Sequence, residues 1–321
     1  MAKILGIGNA LVDVLNKLES DELLKELGLP KGSMQLVDAG KSEEIQEKTK
    51  KLDKEMASGG SAANTINGLA RLGVDTAFVG TVGNDETGRF FSNDLQKNGV
   101  KPLLISSETP SGVANTMISK DGERTFGTYL GASIELSPEN IDEELFKGYD
   151  IVHVEGYLVQ NHNLLKKILE TAKAVGAEVS LDLASYNVVE DNLEFLQEMV
   201  KKYVDIVFAN EEEAKAFTGK EPEEALDDLA KMVKVAVVKI GDKGSMVKQG
   251  DNVVKIGAEK VNVVDTTGAG DIFASGFLYG YVNNLPFSQA GRLGTILASK
   301  VIADYGAKLT DADWKKIKQN L

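Results

Sequence analysis

The chain has 321 residues, 42% hydrophobic and 26% charged, which suits one large α/β domain or one core with a small appendage. Its formal net charge of −13 argues against nucleic acid or an anionic membrane as the main partner. It has no cysteine, which excludes disulfides, zinc thiolate sites and cysteine nucleophiles. The apolar N-terminal stretch is broken by Asp13 and lacks a basic leader, and no apolar run approaches membrane-spanning length, so a cytoplasmic soluble protein is expected.

Short β-rich runs alternate with helical stretches almost throughout. Residues 3–8 read as a strand, 62–72 as a helix, 76–79 as a strand and 86–98 as a helix. Residues 151–154, 178–181, 205–208 and 235–240 then read as buried strands separated by charged amphipathic helices. This alternation predicts a mostly parallel sheet with helices on both faces. Two stretches break the pattern. Residues 11–38 are mixed, with a strand-like "SMQLVD", and 112–130 read as a hairpin turning at Asp121-Gly122. Together they predict one small β-sheet lid, inserted twice into a single domain, at about 11–38 and 104–130.

Two motif-like stretches do not hold up. Gly6-Ile7-Gly8-Asn9-Ala10-Leu11 approaches a dinucleotide fingerprint, but Leu11 stands where its third glycine belongs. Gly40-Lys41-Ser42 resembles the end of a phosphate loop, but Gln35 occupies the first glycine position. His153 and His162 lack metal-ligand spacing and read as a core and a surface residue.

Two stretches carry chemistry. In "DTTGAGDIFASGFLYG", residues 265–280, Gly268-Ala269-Gly270 precede Asp271 and a helix with Ile272, Phe273, Gly276, Phe277 and Gly280 along one face. A bare turn feeding a helix N-terminus offers unpaired N–H groups to an anion. Asp271 there is either a helix cap or a base held beside a bound anion. In "SGGSAANTINGLARLG", residues 58–73, Gly59-Gly60 precede a helix whose first turn carries Asn64. That pattern is either an ordinary turn or a grip on a hydroxyl-rich ligand close to the backbone.

The pair resembles the signatures of the ribokinase family, also called PfkB sugar kinases, in order and separation, and the likeness covers essentially the whole chain. The resemblance implies a ribokinase-like α/β fold. It also implies transfer of the γ-phosphoryl of ATP to a primary alcohol, with Asp271 as catalytic base, Gly268, Ala269 and Gly270 as anion hole, and Arg124 on the lid approaching the phosphate. The family's N-x-x-E element falls on Asn210 and Glu213, implying a water-mediated hold on Mg²⁺ by Glu213. As residues alone, the two also form a capping box. The nucleotide-loop pattern falls on Lys239, Gly241 and Gly244, where Lys239 departs from the family's threonine, and Thr295 marks the other wall of an adenine pocket.

At the acceptor end the resemblance implies Asn9, Asp13, Gly60 and Asn64. Asp265, Thr267 and Gly306 mark the family's monovalent-cation position, for K⁺. "GIGNALVD" and "LLKELGLPKGSMQLVD" look most like adenosine kinases, with Gln35 near the base and Met34, Leu36, Met117 and Phe126 available as an apolar slot. The same apolar residues could instead pack the lid on a second copy, as a homodimer, or on the core. A nucleoside, adenosine first, is therefore the expected acceptor, with a free sugar such as ribose or fructose as the alternative. A catalytically silent ligand-binding protein is the reading from another class.

Overall fold

The computed structural model describes residues 2–319. Strand β1 (Lys3–Ile7) buries Ile4 on one face and Leu5 and Ile7 on the other, as a strand covered on both sides must. The chain leaves this sheet through Gly8-Asn9-Ala10 and enters β2 (Leu11–Lys17) of a second, smaller sheet. Helix α1 (Glu22–Glu26), β3 (Met34–Leu36), α2 (Ala39–Thr49) and β4 (Lys54–Gly59) complete that excursion. Gly60 returns the chain to α3 (Ser61–Leu72), followed by β5 (Asp75–Gly83), α4 (Glu86–Lys97) and β6 (Val100–Ser107). A second excursion, β7 (Gly112–Ile118) and β8 (Arg124–Tyr129), is an antiparallel hairpin with Asp121-Gly122 in its turn.

Regular alternation follows: α5 (Glu143–Phe146), β9 (Ile151–Glu155), α6 (His162–Ala174), β10 (Glu178–Asp182), α7 (Tyr186–Asp191) and α8 (Leu193–Tyr203). Next come β11 (Ile206–Asn210), α9 (Glu211–Thr218), α10 (Pro222–Leu229), β12 (Val235–Lys239), β13 (Ser245–Gln249) and β14 (Asn252–Ile256). Helices α11 (Ala269–Val282), α12 (Phe287–Val301) and α13 (Asp311–Lys318) close the chain. The large sheet has the order β14-β13-β12-β11-β10-β9-β1-β5-β6. Its strands from β12 to β6 are parallel, and β13 and β14 are antiparallel additions. One apolar core lies on each face, with α6, α8 and α10 on one side and α3 and α11 on the other. This is a ribokinase-like α/β architecture. Among the described residues no helix is long and apolar enough to cross a membrane.

The smaller sheet has the order β3-β8-β7-β2-β4. Strand β4 was not expected from sequence, because the Lys and Glu residues ahead of Gly59 hide it. The expected start of the second lid segment at 104 falls inside β6, a strand of the large sheet that runs to Ser107. One face of the small sheet is sealed: Met117 packs there with Leu18, Leu24, Leu27, Leu29 and Ile45. The register puts Asp13, Ala114, Thr116, Arg124, Phe126, Met34 and Leu36 on the other face. Met34 is 73% and Leu36 70% exposed, so this face is open at its β3 edge, while Thr116 nearer its centre is buried.

The chain crosses between the sheets in adjacent pairs. At Gly60 (φ +98°), an added Cβ would stand 2.1 Å from the Asn9 carbonyl oxygen of the outgoing crossing. At Gly131 (φ +49°), it would stand 2.2 Å from the Pro110 carbonyl oxygen of the other pair. Glycine is required at both, for its left-handed backbone and for the close approach.

The discarded motifs have structural explanations. Residues 6–11 pass from one strand to another with no helix opening behind the glycines, and Lys41 lies in the first turn of α2, its N–H capped by Asp38. His153 is fully buried, its Nδ1 3.0 Å from Ser180 Oγ, whereas His162 stacks on Phe195 at the surface.

Candidate active site

Four neighbouring parallel strands, β9 to β12, end on Glu155, Asp182, Asn210 and Lys239. The carboxyl ends of parallel strands are where open α/β sheets form their binding crevice. Glu155 accepts from the Asn9 N–H (3.2 Å), Asn9 Nδ2 (2.7 Å) and the Ala62 N–H (3.1 Å). It thereby ties the β1–β2 crossing to the start of α3. Burial pushes its carboxyl up to about 7, against those hydrogen bonds. Asp182 accepts from Lys239 Nζ at 3.0 Å and from the Ala184 N–H at 3.0 Å.

Asn210 caps α9. Its Oδ1 accepts from the Glu213 N–H (2.8 Å), while the Glu213 carboxylate accepts from the Asn210 N–H (2.8 Å) and Nδ2 (2.7 Å). The capping-box reading of this pair is thus realised. Glu213 is nearly fully buried, and burial raises its carboxyl to about 7, opposed by the nearby Lys239 ammonium.

Helix α11 starts at the N-cap Gly268, whose φ is +72° and whose missing Cβ would stand 2.4 Å from the Ala307 side chain. No other residue fits there without displacing the neighbouring loop. Asp271, in the first turn, is not a cap. Its carboxylate accepts from Ser61 Oγ (2.7 Å) and Asn64 Nδ2 (3.0 Å), both in the first turn of α3. The two helices can approach because Gly68 leaves room for the Ser275 hydroxyl. Burial, the largest influence, raises the Asp271 carboxyl to about 6, with Asn64 and Ser61 opposing the shift and Asp182 adding to it. A carboxylate held by two donors, with a pKa close to neutrality, is suited to accepting a proton.

Arg124 reaches from β8 into the body, where its guanidinium donates to Asp265 Oδ2 (2.7 Å) and Thr267 Oγ1 (2.5 Å). Asp265 also accepts from the Thr267 N–H (2.7 Å) and the Gly306 N–H (2.8 Å). Asp265, Thr267 and Gly306, the expected cation position, are thus brought together. The Asp265 and Thr267 side chains accept from N–H donors and a guanidinium, which agrees with a cation held there mostly by backbone carbonyls. Arg124 likewise braces the segment leading into the anion loop instead of standing free.

Among the described residues no group of three His, Cys, Asp or Glu side chains could hold a metal. The acids present fit Mg²⁺ only in the manner typical of that ion, through one or two carboxylates together with substrate phosphates. Gly241 (φ +53°) and Gly244 (φ +102°) shape the turn after β12, and an added Cβ at Gly244 would meet the Ile256 carbonyl oxygen at 2.0 Å. Thr295 is buried on α12.

Asp13 lies against Gly59, where a Cβ would come within 2.3 Å of its Oδ2. Its carboxyl is raised to about 6, first by burial, with Lys308 opposing and Asp271 and Asp265 adding. Asn64 grips Asp271 through Nδ2, and its Oδ1 is buried without a protein partner. Gln35 is a correction. It pairs with Gly127 and so leaves the sheet on the face opposite Asp13, while Met34 and Leu36 point the other way. Met117 belongs to the sealed face as well. The alternation of a three-residue strand decides which residues face the cleft, and the resemblance alone did not resolve it.

Sequence reasoning missed Glu155, Asp182 and Ser61. The first two had a signal, since each is an acid ending an apolar run in a parallel-sheet pattern. Ser61 had none beyond its place at a helix start.

Fold and site together define a phosphotransferase acting on small sugar-like acceptors. Residues 33–314 match the model of the pfkB family carbohydrate kinases, and the chain belongs to that family. An uncharacterized sugar kinase of Archaeoglobus fulgidus is 32% identical over 247 residues, 75% of this chain and 96% of that protein. The adenosine kinase of Sinorhizobium meliloti superposes with a TM-score of 0.86 and 33% identity, covering 100% of this chain and 99% of that one. A probable sugar kinase of Rhizobium etli superposes equally well, at 0.86, with 32% identity and 99% and 98% coverage. The protein is a sugar or nucleoside kinase by family.

Proposed function

We propose that the protein transfers the γ-phosphoryl group of ATP to the primary hydroxyl of a nucleoside, adenosine first. The observation that carries this reading is that Asp13, on the lid face shared with Met34, Leu36 and Phe126, lies close enough to Asp271 to feel its charge. Asp271 is anchored by Ser61 and Asn64 at the N-terminus of α11, and Met34, Leu36 and Phe126 share the lid face that carries Asp13. A nucleoside needs polar groups for its ribose and an apolar slot for its base. The adenosine kinase among the similar structures supports the choice of base.

Each residue's part follows from its chemistry. Asp13 accepts hydrogen bonds from ribose hydroxyls, and Asn64, whose unpaired Oδ1 needs a small shift to be reached, adds a second acceptor that holds the primary alcohol toward Asp271. Asp271 takes the alcohol proton as the new oxygen–phosphorus bond forms. N–H groups at Gly268 and Gly270 face the charge growing on the phosphoryl oxygens, the Ala269 N–H being taken by the Thr266 carbonyl (3.2 Å), and Arg124 holds the loop that presents them. When bound with the nucleotide, Mg²⁺ would supply further neutralisation of the phosphates, near Glu213 and Asp182. Gly241, Gly244 and Thr295 line the nucleotide end. A cytoplasmic location, where ATP is plentiful, belongs to this reading.

A second reading, a kinase of a free sugar such as ribose or fructose, is favoured by the sugar-kinase names among the relatives. Release of ADP with a panel of nucleosides, pentoses and hexoses separates the two. The proposal expects kcat/KM to be highest for adenosine. A hexose or ribose turned over better than every nucleoside overturns the nucleoside assignment, and binding without turnover of any acceptor overturns the kinase.

A further inference from the structure

Lys239 ends β12, where the family pattern places a threonine, and its ammonium does more than neutralise Asp182. An added Cβ on Gly270 would stand 2.8 Å from Lys239 Nζ and 3.9 Å from its Cε. The ammonium therefore touches the anion loop itself, and Gly270 is bare at the spot where it arrives. This is an unusual address for a cation, because a helix N-terminus repels positive charge. Lys239 is kept there by Asp182, 3.0 Å away on β10, with one strand between them. Burial works against its charge, but the Asp182 and Glu213 carboxylates outweigh that and hold the amine above its ordinary range. It is fully protonated at neutral pH. The pair is not sealed in a core either, since the Lys239 side chain is 16% and that of Asp182 8% exposed, at the mouth of the strand ends.

A cation and a helix N-terminus facing one space concentrate positive field there in a protein of net charge −13, set against the Asp182, Glu213 and Asp271 carboxylates nearby. An anion entering the loop gains both fields and relieves their mutual repulsion. We propose that Lys239 is a catalytic residue that binds the phosphoryl group in transfer, its ammonium turning from Asp182 to a phosphoryl oxygen, and that Asp182 is the positioning residue that stores it beside the loop until then. In the reaction the acceptor oxygen–phosphorus bond forms as the β–γ bridge breaks, and the acceptor proton goes to Asp271. Lys239 exchanges no proton and answers only the growing charge on the phosphoryl oxygens. The inference rests on the ATP-dependent reading above and adds to it the group that replaces the missing threonine.

The test uses Lys239→Met, Lys239→Arg and Asp182→Asn in the full chain. Calorimetry measures affinity for ADP and for the non-hydrolysable analogue AMP-PNP, beside kcat and thermal unfolding. Lys239→Met is expected to lower kcat by about 10²-fold or more. Its affinity for AMP-PNP should fall by about tenfold more than its affinity for ADP, which lacks the γ-phosphoryl. Lys239→Arg should keep the AMP-PNP preference, and Asp182→Asn should keep it while lowering kcat, since the ammonium remains but is no longer held in place. If Lys239→Met unfolds, the arginine and Asp182→Asn variants still decide: loss of the preference in Lys239→Arg overturns the proposal. Equal losses for ADP and AMP-PNP, or an unchanged kcat, mean that the pair is structural and also overturn it. These binding ratios stay readable if no acceptor is ever phosphorylated, an outcome that would remove the kinase reading instead.

Discussion

The two walls of the cleft are built on opposite plans. The body wall, at the ends of β9 to β12 and the starts of α3 and α11, is a dense hydrogen-bond network. Asp271, Glu155, Asp182 and Glu213 each have named donors. The lid wall seals one face with Met117, Leu24 and Ile45 and leaves the other open, with Met34 and Leu36 mostly exposed. Chemistry that needs groups fixed in place sits on the rigid wall. Recognition sits on the wall that has yet to be covered. Apolar side chains bare on a three-residue edge strand gain most when a ligand covers them.

If this contrast is right, Asp271→Asn should give the largest effect, a fall in kcat of about 10³-fold with acceptor affinity changed only a few-fold, read by steady-state kinetics and calorimetry. Retained turnover would dissolve the contrast. Next, Asp13→Ala should weaken acceptor binding by about 10–100-fold and leave ADP affinity nearly unchanged, because it removes a buried hydrogen bond to a hydroxyl. Equal losses for both ligands would make Asp13 a support of the fold.

Smaller, and confined to the lid, is the double change Met34→Ser with Leu36→Ser. It should lower kcat/KM for adenosine by about tenfold and leave ribose as it was, since only the base meets that face. An identical change for ribose would mean that the substitutions loosen the lid itself.

The pH dependence gives the finest test. Asp271 titrates at about 6, so the rate should fall as pH drops through that value and the base becomes protonated. Ser61→Ala removes a donor to the carboxylate, raises its pKa further, and should move the acid limb upward by less than about one unit. The same shift has a cost in stability. The folded-state pKa lies above the 3.8 of a free carboxyl, so the proton's contribution is complete below 3.8 and is lost as pH rises through about 6. In ligand-free protein at pH 8, Asp271→Asn should therefore unfold about 2 °C higher than wild type while being inactive. A lower Tm in that variant would locate the strain elsewhere.

The body was the more legible region. Its strands are apolar runs, its helices begin and end on recognisable residues, and "GAGD" announces a turn and a helix start. Even there, Glu155 and Asp182 went unread because each looks like the first polar residue of a loop. What makes them part of the site is their alignment across neighbouring strands, which a linear pattern does not contain. The lid was read as a sheet, but β4 was missed and Gln35 was given the wrong face. A half-open sheet edge has weak alternation, and one step of register reverses every side chain. Lys239 was visible as a departure, but its meaning needed the distance to Gly270.

The paired crossings at Asn9 with Gly60 and Pro110 with Gly131 make the lid a cassette. The outgoing and returning chains lie back to back at two fixed points, and those points are backbone, indifferent to what the inserted strands carry. A lineage can therefore rewrite residues between the crossings, Arg124 excepted because it braces the anion loop, and so change what is phosphorylated without retuning the groups of the body wall. The same property offers an engineering handle: transplanting both inserts from a relative with another acceptor, joined at these glycines, should carry the acceptor preference with them.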